Sequence, residues 1–207
     1  MTLMTIPMSN KLNRRDFIAS GIALGAVGMA APAFALNDAQ AKALISSSLN
    51  DVNAAIASGK TGTALYSAFE RVFTKYADVP IIAQSALGVA ARKATPAQMS
   101  AYTTAFRGYI SRKYGRRFNE FEGARFEVVG SRAVKSYYEV KSNAFLKGQT
   151  PFEVLWHVSN KSGKDLFFNI IIEGVNMLAS ERAEIGAMLD RRKGDMNGLI
   201  ADLKTAG

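Results

Sequence analysis

The chain has 207 residues, with 26 Lys+Arg against 17 Asp+Glu, one His and no Cys. That length holds one domain with a real core and is short for two, while 48% hydrophobic and 21% charged residues exclude global disorder. The lack of Cys excludes disulfides, a thiolate nucleophile and Cys-based metal sites. A lone His excludes multi-His metal centres, and the formal charge of +9 leaves nucleic acid and anionic lipid open as partners.

Residues 1–35 are predicted to be an export signal. Lys11, Arg14 and Arg15 precede an uncharged, glycine-rich stretch from Phe17 to Ala31. That stretch is about 15 residues, below the roughly 20 needed to span a bilayer. Ala33-Phe34-Ala35 places small residues at both positions a signal peptidase reads, so cleavage is expected between Ala35 and Leu36. A retained N-terminal anchor is the alternative. Asn13-Arg14-Arg15-Asp16-Phe17-Ile18 resembles a twin-arginine signal, with paired Arg, one variable residue, Phe and an aliphatic residue. That route implies a bacterial protein that folds before export to the periplasm. Residues 36–207 would then form a single domain of 172 residues with net charge +7, since the leader takes away three cations and one carboxylate. Outside the cytoplasm no nucleic-acid partner is expected.

The remaining pattern reads helices, then strands, then helices. Asp38 is expected to cap a helix carrying Ala41, Leu44, Ile45, Leu49, Val52 and Ile56, which ends near Ser58-Gly59. A second helix carries Leu65, Phe69, Val72, Phe73 and Tyr76 on one stripe. Asp78 and Pro80 mark the boundary to a short third. Thr95-Pro96 opens another, because Thr caps well and Pro suits the first turn. Its stripe is aromatic: Tyr102, Phe106, Tyr109, Ile110 and Tyr114.

Segments from Arg125 to Gly130, Val134 to Phe145, Phe152 to Asn160 and Leu166 to Ile172 are rich in Val, Ile, Phe and Tyr. Gly130-Ser131, Lys147-Gly148-Gln149 and Asn160-Lys161-Ser162-Gly163 read as the turns between them. Four consecutive strands with short turns predict an antiparallel meander. Phe152, Val154, Trp156 and Val158 form one apolar face of the third strand. The helical period returns after Glu173-Gly174, with Met177, Leu178, Ile185, Met188 and Leu189, and a final helix starts at Asp195. The fold class is α+β: N-terminal helices, a curved four-stranded antiparallel sheet and C-terminal helices. Such a sheet under helices has either a filled core or a deep apolar cavity.

The inventory for catalysis is thin. His157 falls mid-strand on the more polar face, with no Gly-x-Ser-x-Gly elbow in the chain, and reads as a solvated or hydrogen-bonded residue. No carboxylate has an isolated apolar setting in the sequence, and no Walker A or GxGxxG motif occurs. Arg107, Arg112, Lys113, Arg116, Arg117, Arg125 and Arg132 gather around the aromatic helix and first strand. They read as a solvated basic face or as a contact for an anionic headgroup, membrane surface or docking partner.

Several pieces in order resemble the MlaC-type periplasmic phospholipid-binding proteins, also called toluene-tolerance proteins. They are Phe73 to Asp78, Ile81-Ile82-Ala83, Leu87-Gly88, Thr95-Pro96-Ala97-Gln98 through Phe106 to Tyr109 and Tyr114, and Phe168 through Gly174 to Met177. Gly194-Asp195 and Leu199 to Leu203 close the series. In place of the family's Trp shortly after Leu-Gly stands Val89-Ala90-Ala91-Arg92. The resemblance implies a monomeric carrier of phospholipid, without catalytic residues, cofactor or metal, whose cargo is the lipid itself. Its partners would be an inner-membrane ABC-type lipid-transport complex and an outer-membrane lipoprotein and porin complex. With the apolar stripes, it implies acyl-chain contacts at Phe69, Phe73, Tyr76, Ile82, Tyr102, Phe106, Tyr109 and Ile110 on the helices. On the sheet the contacts would be Val128, Tyr138, Val154, Trp156, Phe168 and Ile170, with Val175 and Met177 in the glycine loop. A small exported enzyme or an envelope adaptor with a filled core is the alternative.

Overall fold

The computed structural model describes residues 36–207. The twin-arginine residues Arg14, Arg15 and Phe17, and the Ala35 side of the cleavage site, lie outside the described residues. The N-terminal layer is α1 (Asp38–Ala57), α2 (Gly62–Tyr76) and α3 (Val79–Leu87), then a 3-10 turn (Gly88–Arg92) and α4 (Pro96–Gly115). The sheet follows as β1 (Arg125–Val134), β2 (Tyr137–Phe145), β3 (Phe152–Ser159), β4 (Leu166–Ile172) and β5 (Val175–Asn176). The chain closes with α5 (Met177–Arg191) and α6 (Met196–Leu203). No described helix is long and apolar enough to cross a membrane.

Local chemistry sets the helix boundaries. Thr95 Oγ1 accepts from the Gln98 amide at 3.2 Å, and Gln98 Oε1 accepts from the Thr95 amide at 3.0 Å, a reciprocal cap with Pro96 in the first turn. Asp78, Asn176 and Asp195 cap α3, α5 and α6 through side-chain oxygens. At α1 the cap is Asn37, paired reciprocally with Gln40, and not Asp38. Asp38 is the first helical residue, and its carboxylate is used elsewhere: it accepts from Ser131 of β1 and pairs with Lys42 one turn on. Gly115 ends α4 against α2, where a Cβ would stand 2.6 Å from Tyr66 Cδ1, so only glycine allows the approach.

The strands pair antiparallel in the order β1-β2-β3-β4-β5. Three features differ from the sequence reading. Gly130-Ser131 is no turn: β1 runs through it with a bulge between Val128 and Gly130, and the reversal falls at Lys135-Ser136, where Lys135 has φ 49°. The stretch after β4 is not a plain loop. Glu173 and Gly174, at φ 49° and 80°, turn the chain back so that Val175 and Asn176 pair with Ile172 and Ile171 as a fifth strand. A second bulge between His157 and Val158 sets Phe167, rather than Phe168, opposite Val158.

Helix α1 packs on β1 and β2, while α3 and α5 pack on β4. One apolar cluster lies between, built from the inward side of the sheet and the buried stripes of all six helices except α2's Leu65–Ala68 turn.

Candidate functional site

Four rows of residues cross the inner face of the sheet in register: Phe126–Ala144–Phe152, Val128–Ser142–Val154–Ile172, Ser131–Val140–Trp156–Ile170, and Ala133–Tyr138–Val158–Phe167. Alternation of side chains across the pleat puts each row on one face. The centre of this face is sealed. Val140, Ala144 and Val158 are 0% exposed, and so are Tyr102 and Phe106 of α4 in the same cluster, so no space large enough for a water touches them. Trp156 donates from Nε1 to Ser142 Oγ at 3.0 Å, which satisfies its one polar atom. Its ring meets Phe167 edge-on at 5.4 Å, and Phe167 meets Phe73 at 6.4 Å.

The margins of the same face are different. Phe126, Val128, Phe152, Tyr138, Ile170 and Ile172 point inward and pack against the cluster, yet each is only half-buried. Phe126, Val128, Phe152 and Ile172 fall in the two rows beside the β2–β3 hairpin. This is apolar surface aimed at the interior and reachable from outside.

Of the residues expected to meet acyl chains, Phe73, Tyr76, Ile82, Tyr102, Phe106, Tyr109, Ile110, Val154 and Trp156 are buried in the cluster. Phe69, Val128, Tyr138, Phe168 and Ile170 lie half-buried against it. Val175 does not join them: the β4–β5 reversal turns it outward, 54% exposed. Met177, the first residue of α5, lies outside the cluster. Phe168, the extra residue of the bulge in β4, turns its ring to Tyr137 and His157, while Phe167 takes the place opposite Val158. The sequence reading missed Phe167, Phe126 and Ile172. Strict alternation from Trp156 would not find Phe167, whereas Phe126 is signalled by its place before Val128 in an apolar alternation.

Two surface grooves border none of these residues. One, of about 620 Å³, runs along Ala97, Ala101, Thr104 and Gly108 of α4 toward Arg112 and Lys204. The other, of about 320 Å³, lies between α1 and α2. The centre of the face is packed with rings, Tyr102, Phe106, Trp156 and Phe167 among them.

The basic run is largely paired. Arg107 meets Glu70 at 2.7 Å, Arg117 meets Glu120, Arg125 meets Glu127, and Arg132 meets Glu139. Arg112 donates to the Leu203 and Ala206 carbonyls at the end of α6. Lys113 enters a cluster that ties α4 to α5. It pairs with Glu181 at 2.6 Å and Glu184 at 2.5 Å, Tyr114 donates to Glu181 and Tyr109 donates to Glu184. Glu181 is 4% exposed, a buried carboxylate that the sequence does not betray. Burial opposes the charge of Glu184, but bonds from Lys113 and Tyr109 outweigh it and hold the carboxyl below its usual range. Burial and the adjacent carboxylates push the phenols of Tyr109 and Tyr114 upward, so both stay neutral donors.

His157 is hydrogen-bonded, with Nε2 3.3 Å from Glu139 Oε2 and Nδ1 3.5 Å from Asn169 Nδ2. Asn169 also accepts from the Leu178 amide at 3.2 Å, anchoring the start of α5 to β4. Among the described residues, no group of three or more His, Asp or Glu is placed to hold a metal ion.

This architecture defines a mixed α+β protein whose helices cover the inner face of an antiparallel meander. The family model described as MlaC protein matches residues 44–205, and the chain belongs to the MlaC family. It is also similar to the solved structure of a phospholipid-binding protein from Ralstonia solanacearum in complex with a phospholipid. The two are 20% identical, with a TM-score of 0.68, over 79% of this chain and 94% of that one. At that identity the likeness is one of fold.

Proposed function

We propose that the protein binds phospholipid and carries it through the periplasm, as a carrier rather than an enzyme. Acyl chains would lie along the inner face of the sheet, entering over Phe126, Val128, Phe152 and Ile172. The observation that carries the reading is that margin: large apolar residues held inward by strand register, continuous with the interior, and still half-open. Family membership and the fold shared with a phospholipid-binding protein support it. The partners in this reading are an inner-membrane ABC-type transport complex and an outer-membrane complex.

The energetics are consistent with exchange. Burying about 30 methylenes at roughly 0.8 kcal/mol each contributes about 24 kcal/mol relative to water, beyond the range of noncovalent affinities. The relevant reference is the bilayer, where the chains are already dry. A carrier needs only an interior as apolar as the bilayer, so transfer runs close to neutral. The sealed rings must part to admit two chains, and the half-open margin is where that motion starts.

Protein purified from cells, extracted with organic solvent and analysed by mass spectrometry, is expected to yield diacyl phospholipid, where another exported protein yields none. A folded, lipid-free protein that takes no lipid from vesicles would overturn the reading. The periplasmic location has its own test. Arg14→Lys with Arg15→Lys keeps the leader's charge but removes the planar guanidinium forks. Precursor trapped in the cytoplasm is expected; normal periplasmic levels would exclude the twin-arginine route.

A further inference from the structure

The smaller groove lies away from the ring cluster, between the end of α1 and the outward side of α2. Its floor is Ala55, Ala68 and Val72, with Ala54 exposed at the edge, apolar groups small enough to let another chain come close. Its rim is basic. Lys60, Arg71 and Lys75 line it against a single carboxylate, Asp51. That carboxylate is already engaged: it accepts from Lys75 Nζ at 2.9 Å and from Tyr76 Oη at 2.8 Å. Those two bonds, Lys75's first, hold Asp51 below the usual carboxylate range, so it stays charged and neutralises Lys75. Lys60 and Arg71, both exposed, have no acidic partner among the described residues. The larger groove also ends in two cations, Arg112 and Lys204, but the Arg112 guanidinium is spent on the Leu203 and Ala206 carbonyls, whereas Lys60 and Arg71 are both free to meet an acidic group.

We propose that this groove docks an acidic segment of a partner protein, with small apolar side chains seated over Ala54, Ala55 and Ala68 and carboxylates reaching Lys60 and Arg71. A folded segment fits better than a membrane surface, because the apolar floor is recessed and a flat bilayer would meet the rim cations without covering it. Charge of this kind acts mainly on the rate and specificity of encounter and weakens with salt.

The test uses the protein as purified from cells and a labelled, amidated 16-residue helical peptide bearing Glu on one stripe and Ala beside it. Fluorescence anisotropy is expected to show binding that weakens between low and physiological salt. Lys60→Glu with Arg71→Glu should weaken it at least tenfold. Lys161→Glu with Lys164→Glu, an equal charge change on the exposed β3–β4 turn, should change it less than twofold. Ala54→Trp, at an exposed position, fills the groove without altering charge and should also abolish binding; thermal melts verify that each variant folds. No binding by the unmodified protein, equal loss from both charge-reversal pairs, or full binding by Ala54→Trp would overturn the proposal. So would loss of binding to phosphatidylglycerol vesicles, but not to the peptide, in the Lys60/Arg71 variant, which would assign the groove to a membrane surface.

Discussion

The centre and the margins of the sheet's inner face are made of the same residue types and behave differently. Val140, Val154, Trp156 and Val158 on β2 and β3 are buried, as is Phe167, while Phe126, Val128, Ile170 and Ile172 on the flanking strands are half-open. Hydrophobicity therefore does not separate scaffold from candidate site here. Place in the sheet does, since most of the sealed residues stand on the two strands paired on both sides. A sealed residue contributes to holding the domain together, roughly 1.5–3 kcal/mol for a large aliphatic or aromatic side chain. A half-open one gives less to the fold and is available to something else.

The sharpest way to break this contrast is to place one charge on each side of it. Val158→Asp buries an unpaired carboxylate where nothing can solvate it. Out of a total stability of about 5–15 kcal/mol, a loss of several kcal/mol is expected, read as a collapsed thermal transition or insoluble protein. Val128→Asp, at the half-open margin, should leave the melting transition within a few degrees while extracted phospholipid falls below detection. Equal destabilisation by the two would erase the distinction. Charge at Phe106 or Tyr109 is expected to cost the fold in the same way. Phe106 is 0% exposed, and Tyr109 is buried with its hydroxyl committed to Glu184.

The polar cluster between α4 and α5 gives an effect of intermediate size. Lys113→Met leaves the buried Glu181 carboxylate with only Tyr114 on Oε1, and a cost of about 3 kcal/mol is expected in urea denaturation. It also changes the acid limb. Glu184 is held below the ordinary carboxylate value, so its contribution is complete above about pH 4.3 and is lost as pH falls through the lower folded value. Removing Lys113 takes away the main group that lowers it. The urea midpoint of the variant should then depend less on pH below about 5 than that of the unmodified protein.

The smallest effect belongs to Val175→Ser. Val175 is exposed on β5, so stability should move by no more than about 0.5 kcal/mol, with lipid retention unchanged. A clear loss of lipid would restore Val175 to the site and show that the β4–β5 reversal moves when cargo binds.

What the sequence reveals and hides follows the range of the interactions involved. Helix starts at Thr95, Asp78 and Asp195 were legible because a cap is a contact over two or three residues. The aromatic stripe of α4 was legible because it repeats every three to four residues. The sheet was legible as a meander but not in its parity. A bulge costs one residue of register and exchanges inside for outside, which is why Gly130 read as a turn and Phe168 read as inward. The Lys113–Glu181–Glu184 cluster was invisible because its members are separated by about 70 positions in the chain. The difference between sealed and half-open residues was hidden for a related reason, since it depends on contacts with residues distant in the chain.

Trp156 is the only tryptophan in the chain, and it stands in the middle of the inner face with its indole nitrogen bonded to Ser142. The protein therefore carries a built-in optical reporter at the place where the rings would have to part. Any rearrangement there changes the polarity around a single emitter, with no second indole to dilute the signal. Loading and unloading can be timed in unlabelled protein by stopped-flow emission, and a Ser142→Ala change would tell how far that hydrogen bond sets the baseline colour.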